Sequence, residues 1–344
     1  MSPVVKITDV ARHAGVSPST VSYALNGKRP ISEATRRRIE ASIRELGYHP
    51  HAGARALAGA RSHVLALVMP LRRGVDLPVV TRFAMSVVTT ARRHGHDVLL
   101  LTGEEGEDGL RRVADSARAD GFVVMDVQLD DRRLPLLRAL RRPSVLIGLP
   151  ADPAGLTCVD LDFRAAGEAC VEHLALLGHR RVALLGSPPE VYARGTGYAR
   201  RVADGVTAAA GRNGLTASVH PCASDPGAAP ALVRRLLGAD PAPTGLVVHN
   251  EALLGPLADA LRAEGVRVPE DLSVVALCPD DLAERAATPL TSVSVPAAEL
   301  GARAVELLIG KLGAETGPAP GLAAPDVTLL PPRLTVRSST APRG

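Results

Sequence analysis

The chain has 344 residues, a formal net charge of +4 and seven aromatic side chains, with no tryptophan among them. This length exceeds one comfortable hydrophobic core, so it predicts more than one domain. No apolar run approaches the ~18 residues that a membrane span requires, and Lys6 stands where a signal peptide would be apolar. We therefore expect a cytoplasmic protein without membrane contact.

The four cysteines, Cys158, Cys170, Cys222 and Cys278, show no Cys-x-x-Cys spacing, which disfavours a disulfide framework and a zinc site. The sequence also lacks a phosphate loop, a complete dinucleotide fingerprint and a nucleophile elbow. We therefore expect no metal, no cofactor and no catalytic residue.

Residues 7–22 have the pattern of two short helices joined by a tight turn. Thr8 is predicted to cap the first helix, and Gly15 supplies the permissive backbone that the turn requires. Ser17 followed by Pro18 is a capping residue followed by a first-turn proline, which begins the second helix. Two helices at this spacing are typical of a helix-turn-helix that reads DNA.

A third helix is predicted after the second one, which ends at Asn26-Gly27. Ser32 is placed to cap this third helix, and Gly47 is placed to end it. Its apolar stripe consists of Ile39, Ile43 and Leu46. Three short helices of this kind make one small domain.

The charge of the chain is concentrated at its beginning. Residues 1–63 carry ten basic and four acidic side chains, a net charge of +6, so the other 281 residues sum to −2. A basic module on a nearly neutral body is typical of phosphate binding. The alternative for Arg36-Arg37-Arg38 is a solvated helix face.

The motifs of this region resemble those of the LacI/GalR family of transcriptional regulators. The resemblance rests on Thr8-Asp9-Val10-Ala11, Ala14-Gly15-Val16-Ser17, Thr20-Val21-Ser22, Leu25-Asn26 and Leu46-Gly47-Tyr48-x-Pro50. It implies that the second helix enters the major groove, with Pro18, Ser19 and Tyr23 reading base edges and Thr20 and Ser22 holding phosphates. The further DNA contacts expected are Thr8, Ser17, Asn26, Lys28 and Arg29.

Tyr23 departs from the family, in which many members carry an arginine at this position. An arginine can grip guanine with two hydrogen bonds, whereas a tyrosine offers one hydroxyl and a ring edge for a thymine methyl. The operator sequence of other members therefore does not carry over to this chain.

Residues 50–61 are predicted to be a hinge, because the segment is too short and too rich in glycine to be a stable helix alone. The family implies that it folds on operator DNA as a dimer, with Leu57 wedged into the minor groove. His51 and Arg55 are expected to contact DNA as well. The alternative is a flexible linker in which Leu57 has no role.

From His63 onward, short β-rich apolar runs alternate with helical stretches, which favours a parallel α/β architecture. The predicted strands are Val64–Met69, Val98–Leu101, Phe122–Met125, Val145–Ile147, Val182–Leu185, Leu246–Val248 and Val274–Leu277.

Further landmarks extend the family resemblance over essentially the whole chain, among them Gly178-His179-Arg180-Arg181 and Pro289-Leu290-Thr291. They imply a two-lobed, periplasmic-binding-protein-like effector domain with parallel sheets, which closes around a small ligand. The expected parts are a helix-turn-helix domain (1–49), the hinge (50–61) and an effector-binding and dimerisation domain (62–344). Within the last part, lobe 1 is expected at about 62–159 and 294–325, and lobe 2 at about 160–290 and 326–340.

Ligands of open parallel sheets bind at the carboxyl ends of strands, where polar side chains are therefore candidate contacts. The candidates are Phe83, Asp126, Asp160, Asn250, Cys278 and one of two competing arginines, Arg194 or Arg201, of which Arg201 is preferred. The carboxylates suit hydroxyl groups, and an arginine suits a carboxylate or adjacent oxygens.

Cys278 is a departure in the same region, because the family commonly has an acid there that binds sugar hydroxyls. A thiol is a weak donor and a poor acceptor. Asp280 or Asp281 can take over from a shifted loop, but an ordinary hexose pocket is not expected.

These patterns together predict a sequence-specific DNA-binding regulator, and a repressor in particular, whose operator affinity responds to a sugar-like or other polar effector. Its expected partners are double-stranded operator DNA of pseudo-palindromic sequence, the effector and a second copy of the chain, with a tetramer as an alternative. An activator, a ligand-independent regulator, and an α/β enzyme or solute receptor with a DNA-binding arm are the rival functions.

Overall fold

The computed structural model describes residues 5–26, 31–48, 61–103, 106–116, 118–314 and 326–343. The chain divides into two compact units, of which the first comprises residues 1–64 and 112–120 and the second residues 65–111 and 121–344. The helix-turn-helix motif lies in the first unit, and nearly all of the α/β region lies in the second.

The described part of the first unit has three helices around a small apolar core, as the sequence predicts. They are α1 (Ile7–Ala14), α2 (Pro18–Asn26) and α3 (Glu33–Leu46). The buried side chains between them are Val10, Ala11, Ala14, Val21, Ile39 and Tyr48.

The predicted ends of these helices are mostly confirmed. The backbone N–H of Thr20 donates to Ser17 Oγ at 3.1 Å, which caps α2, and Ser32 Oγ caps α3 by accepting from Thr35 N–H at 3.3 Å. Gly15 and Gly47 take the left-handed conformation after α1 and α3, with φ of 64° and 60°.

The prediction that Thr8 caps α1 is wrong. The helix begins at Ile7, so Thr8 lies inside its first turn, where its side chain is exposed. Asp9 takes the capping role instead, because its carboxylate reaches back and accepts the backbone N–H of Lys6 at 2.9 Å. The negative charge also suits the amino-terminal end of the helix.

The described residues of the α/β region form two sheets of six strands each. Sheet 1 contains β1 (Val64–Val68), β2 (Asp97–Leu101), β3 (Gly121–Val124), β4 (Ser144–Ile147), β5 (Thr157–Leu161) and β11 (Val327–Leu330). Sheet 2 contains β6 (Arg181–Gly186), β7 (Thr216–Pro221), β8 (Gly245–Val248), β9 (Ser273–Cys278), β10 (Thr291–Ser294) and β12 (Leu334–Thr335).

The strand orders are β11-β5-β4-β3-β1-β2 in sheet 1 and β12-β10-β9-β8-β6-β7 in sheet 2. In sheet 2, β12 runs antiparallel to β10, whereas β10, β9, β8, β6 and β7 pair in parallel. The helices that follow α3 are α4 (Leu77–Arg93), α5 (Gly106–Asp115), α6 (Leu134–Ala139), α7 (Phe163–Leu176), α8 (Pro189–Ala193), α9 (Gly197–Arg212), α10 (Ala229–Leu237), α11 (Leu254–Ala263), α12 (Asp280–Arg285) and α13 (Ala297–Ala314).

Each sheet with the helices packed on it forms a lobe. Lobe 1 is sheet 1 with α4 and α13, and lobe 2 is sheet 2 with α7, α9, α10, α11 and α12. The central strands are buried on both faces, as the apolar runs of β3 and β8 predict. No helix of the described part is long and apolar enough to cross a membrane.

All seven predicted strands are confirmed, with ends that differ by at most one residue. The strands that the apolar-run pattern missed are β5, β7, β10, β11 and β12. Polar residues interrupt β5 and β10, and β7 is largely exposed at a sheet edge, so none of these shows a continuous apolar run.

One predicted lobe boundary is wrong. The sequence places residues 326–340 in lobe 2, but β11 pairs in parallel with β5 of sheet 1, with Val327 opposite Cys158 and Leu330 opposite Leu161. Only β12 joins sheet 2, where Leu334 lies opposite Val293. The last crossing between the lobes therefore lies between residues 330 and 334.

Helices α7 and α9 pack unusually closely because each contributes a glycine at their contact. A Cβ on Gly205 of α9 would lie 2.1 Å from the backbone oxygen of Arg164, and one on Gly167 of α7 would lie 2.5 Å from that of Val202. This contact holds two long helices firmly on sheet 2.

Candidate functional site

The outward face of α2 carries side chains that the sequence predicts to contact DNA. Pro18 and Ser19 are exposed, Thr20, Ser22 and Tyr23 are half-buried, and Val21 between them is fully buried. The hydroxyl oxygens of Ser17 and Thr20 lie 2.8 Å apart. The helix thus shows a short polar surface of the kind that enters a major groove.

Several predicted DNA contacts lie outside the described residues. These are Lys28, Arg29, the hinge residues His51, Arg55 and Leu57, and the side chain of Asn26. Their expected roles stay predictions.

The arginine run of α3 is exposed at all three positions. Arg37 forms an ion pair with Glu33 one turn earlier on the same helix, which offsets part of its charge. Arg36 and Arg38 are the members of the run better placed to add positive potential near a phosphate.

A cavity of about 130 Å³ lies between the two lobes, at the carboxyl ends of strands from both sheets. Met125 and Asp126 follow β3, Asp160 is the second-last residue of β5, and His249 follows β8. This is the place where open parallel sheets bind ligands. Phe83, Asp126, Asp160 and Asn250, four of the predicted effector contacts, belong to its wall.

Asp126 has one arginine bound to it and a second one nearby. Arg72 donates to its Oδ2 at 3.1 Å, and Nη2 of Arg194 lies 4.0 Å from Oδ1. Burial nevertheless raises the pKa of the Asp126 carboxyl, because desolvation outweighs the attraction of Arg194 and Arg72. Asp126 also has a positive φ of 53°, a conformation that aspartate tolerates better than most residues.

Asp160 is almost completely buried, with 4% of its surface exposed. Its Oδ1 accepts the backbone N–H of Leu161 at 3.0 Å. Burial raises the pKa of this carboxyl to about 7, although the positive charge of Arg201 opposes the shift. In the described part of the chain no basic side chain forms an ion pair with it. Its charge is therefore poorly compensated.

Arg201, the preferred candidate, is not part of the cavity wall in this structure. Its guanidinium donates to the backbone oxygens of Leu149 and Pro150, at 2.7 and 3.2 Å. It thereby ties α9 of lobe 2 to the loop after β4 of lobe 1. Arg194 does not line the cavity either, but it approaches the wall residue Asp126.

Cys278 lies fully buried at the end of β9 and is not part of the wall. Burial raises the pKa of its thiol to about 12, so the group is neutral. The structure does not bring Asp280 or Asp281 to the wall. Asp281 instead binds Arg82 of α4, with Nη1 to Oδ1 at 2.6 Å and Nη2 to Oδ2 at 2.8 Å.

Asn250 reaches the wall, but its amide already has protein partners. Its Nδ2 donates to the backbone oxygen of Cys222 at 2.8 Å, and its Oδ1 accepts from Ser224 Oγ at 3.3 Å. Since an amide nitrogen carries two hydrogens, one donor remains for a ligand.

An aromatic cluster forms another part of the wall. The ring centroids of Phe163, Tyr198 and His249 lie 5.6 to 5.9 Å from one another. His249 is 4% exposed, and its Nδ1 has no hydrogen-bond partner among the described residues. Burial lowers the pKa of its imidazole to about 4, so the ring is neutral.

The sequence indicates His249-Asn250-Glu251 as an edge of the pocket, and all three residues belong to the wall, together with Phe163 and Asp76, which sequence reasoning did not name. Burial raises the pKa of Glu251 to about 7. His249 and Glu251 flank the predicted Asn250, and their position directly after an apolar strand was the available signal.

Two parts of the chain match known protein families. Residues 6–51 match the bacterial regulatory proteins of the lacI family, and residues 171–340 match the periplasmic binding protein-like domain. The chain is 31% identical over 310 residues to the HTH-type transcriptional regulator GntR of Pseudomonas aeruginosa, with 88% of each protein covered. It is 29% identical over 348 residues to the regulator AglR of Rhizobium meliloti, covering 98% of this chain and 95% of AglR.

Solved structures show the same architecture. The transcriptional regulator CelR in complex with cellobiose is 27% identical, with a TM-score of 0.66 over 97% of this chain and 99% of CelR. The lac repressor dimer bound to operator and the anti-inducer ONPF is 24% identical, with a TM-score of 0.79 over 98% of this chain and 100% of the repressor chain. The second likeness concerns the fold alone.

The chain therefore belongs to the LacI family of bacterial transcriptional regulators. It is a DNA-binding regulator of transcription and not an enzyme.

Proposed function

We propose that this regulator is a homodimeric repressor whose affinity for a pseudo-palindromic operator changes when a small polar molecule binds between its lobes. The observation that carries the proposal is the cavity at the carboxyl ends of both sheets, with the buried polar groups of Asp160 and His249 in its wall. The Nδ1 of His249 has no hydrogen-bond partner among the described residues, and a buried polar atom without a partner is costly unless a ligand satisfies it.

On the DNA side, α2 acts as the recognition helix. Pro18, Ser19 and Tyr23 read base edges, while Ser17, Thr20 and Ser22 contact the backbone. The exposure of Pro18 and Ser19 beside buried Val21 supports this assignment. One such helix reads only a few base pairs, so two-fold symmetry is needed for a specific site.

On the protein side, lobe 1 carries exposed apolar side chains that suit contact with a second copy. Leu77 and Met85 of α4 are 53% and 54% exposed, and Leu100 of β2 is 46% exposed. β2 is also an edge strand of sheet 1. The lac repressor, whose fold this chain shares, is a dimer on its operator.

On the effector side, the lobes are joined by three crossings of the chain, so a ligand between them can alter their mutual orientation. Such coupling between ligand and DNA is typically ~1–3 kcal/mol and is reciprocal. CelR, a relative of the same architecture, was solved with a sugar, cellobiose. A polar metabolite of small size suits the present cavity.

The test begins with selection of operator sequences from random DNA, followed by sedimentation of the complex, where two chains per palindrome are expected. A thermal-shift screen of metabolites then identifies an effector, and operator affinity is measured with and without it. Asp160→Asn should weaken effector binding, whereas Asp130→Asn, at an exposed turn of lobe 1, serves as the matched control. A single chain per operator, or an operator affinity that no metabolite alters, contradicts the proposal.

A further inference from the structure

The cavity wall contains acidic side chains and no basic ones. Its described lining residues include four acids, Asp76, Asp126, Asp160 and Glu251, and no lysine or arginine. Of these acids, Asp126 alone has arginine partners, namely Arg72 and Arg194.

The nearest arginines do not reverse this balance. Arg72 donates to Asp126, and Arg201 donates to two backbone carbonyls rather than to Asp160. Arg194 lies 4.0 Å from Asp126, and its Nε and Nη2 have no hydrogen-bond partner among the described residues. Asp160 and Glu251 form no ion pair with any described residue. Arg133, near Asp126, and Arg82, near Asp76, are paired with Asp131 and Asp281, which lie outside the wall.

The imidazole of His249 is an independent sign of a missing ligand. It is 96% buried in the wall, it is not protonated, and its Nδ1 has no partner in the described part of the chain. An unpartnered ring nitrogen at this depth is available for a hydrogen bond with a ligand, and in the tautomer protonated at Nε2 it accepts from a ligand N–H.

The remaining wall is mostly apolar and aromatic, with Ser187, Ser224 and Asn250 as its other polar side chains. Phe83, Phe163 and Tyr198 present ring surfaces, and aliphatic side chains such as Val79 and Ile147 surround them. Aromatic faces attract organic cations. The described residues contain no group of three metal-binding side chains, so the wall does not suit a bare metal ion.

On these grounds we propose that the effector is a small organic amine, bound as an ammonium ion. Its N–H groups donate to Asp160, Glu251 and the Nδ1 of His249, and its carbon skeleton packs on the aromatic cluster. This inference rests on the proposed function and names the chemical class of its effector. Burial raises the pKa of Asp160 and Glu251 to about 7. A bound cation would favour the ionised form of both carboxyl groups and so lower these pKa values again.

The experiment uses two matched series in which only the charge of one substituent changes. The first series is cyclohexylamine, cyclohexanol and cyclohexanecarboxylate, and the second is glucosamine, glucose and glucuronate. Binding to the full-length chain is measured by calorimetry at fixed pH and ionic strength. We expect the amine of at least one series to bind about tenfold more tightly than its neutral partner, and the carboxylate to bind least.

Variants then assign the effect to the wall. Asp160→Asn and Glu251→Gln, which keep side-chain shape, should each remove most of the preference for the amine, and His249→Phe should weaken amine binding while it keeps an aromatic ring. Asp130→Asn, which removes an exposed acid elsewhere in lobe 1, should leave the preference unchanged. Thermal unfolding of each variant checks that it is folded.

The outcomes separate this inference from the proposed function. The inference is overturned if in neither series the amine binds more tightly than its alcohol and its carboxylate, and a preference for the carboxylate would point to Arg194 instead. Failure of both amines to bind at their solubility limit also overturns it. In either case a metabolite that changes operator affinity leaves the proposed function standing, whereas the absence of any such metabolite contradicts the proposed function itself.

Discussion

Arg82 of α4 and Asp281 of α12 form a two-pronged ion pair that joins lobe 1 to lobe 2. The two guanidinium nitrogens lie 2.6 and 2.8 Å from the two carboxylate oxygens. The hydrogen bonds from Arg82 hold the pKa of Asp281 below its usual range. The pair stabilises the arrangement of the lobes that the structure shows.

Arg82→Met should loosen this arrangement with little effect on overall stability. Both side chains are about one-third exposed, at 38% and 30%, so the pair is worth ~1 kcal/mol or less. We expect a wider distribution of lobe distances by single-molecule energy transfer. Added salt should produce the same widening in the wild type. The control is Arg262→Met, which breaks a 2.8 Å pair with Asp259 within α11. Equal distributions for Arg82→Met and the wild type would show that the pair does not restrain the lobes.

Asp160→Asn should stabilise the ligand-free protein at neutral and alkaline pH but not in acid. Near pH 4 the unfolded chain begins to ionise Asp160, whereas burial keeps the folded carboxyl protonated until about pH 7. The wild type therefore loses stability as pH rises from about 4 to about 7, and the asparagine variant does not. We expect a gain of about 1–4 kcal/mol in unfolding free energy above pH 7.

Chemical denaturation of both proteins from pH 4 to pH 8.5 measures this difference, with Asp130→Asn as control. A stability difference that stays constant with pH would mean that Asp160 does not titrate abnormally.

Tyr23→Ala should relax operator preference at one symmetric pair of positions. A lost contact with a base edge costs ~1–3 kcal/mol of discrimination at each altered base pair. Arg36→Ala, at an exposed position of α3, should instead weaken binding to all sequences and flatten its salt dependence, because phosphates carry no base identity. Selection from random DNA decides between these outcomes. The same consensus for Tyr23→Ala and the wild type would exclude Tyr23 as a reader.

Gly205→Ala should destabilise lobe 2, because the new methyl group would lie 2.1 Å from the backbone oxygen of Arg164. Helices α7 and α9 would have to move apart, at a cost of at least ~1–3 kcal/mol. Gly211→Ala on the same helix is the matched control, since nothing lies within 4 Å of its added Cβ. There the change should be neutral or stabilising, by up to ~1 kcal/mol. Denaturant unfolding compares the two, and equal stabilities would contradict the close contact.

Local sequence patterns were sufficient to predict many of the helices and strands. The caps at Ser17 and Ser32 and the apolar runs of β3, β8 and β9 act over a few residues, and the structure confirms them. A pattern that extends over only a few residues also explains the wrong prediction for the start of α1. Thr8 and Asp9 both suit a helix start, and only the backbone geometry chose Asp9.

Only the tertiary structure decided which side chains meet in the cavity and which lie elsewhere. Arg201 was a reasonable ligand contact by residue type, yet its guanidinium is occupied by carbonyls about fifty residues away in sequence. Arg82 and Asp281 are separated by 199 positions, and no local pattern signals their contact. His249 obtains its neutral, unpartnered state from burial against Phe163 and Tyr198. Burial and long-range contacts depend on the folded arrangement of the whole chain, whereas helices, strands and caps depend on neighbouring residues.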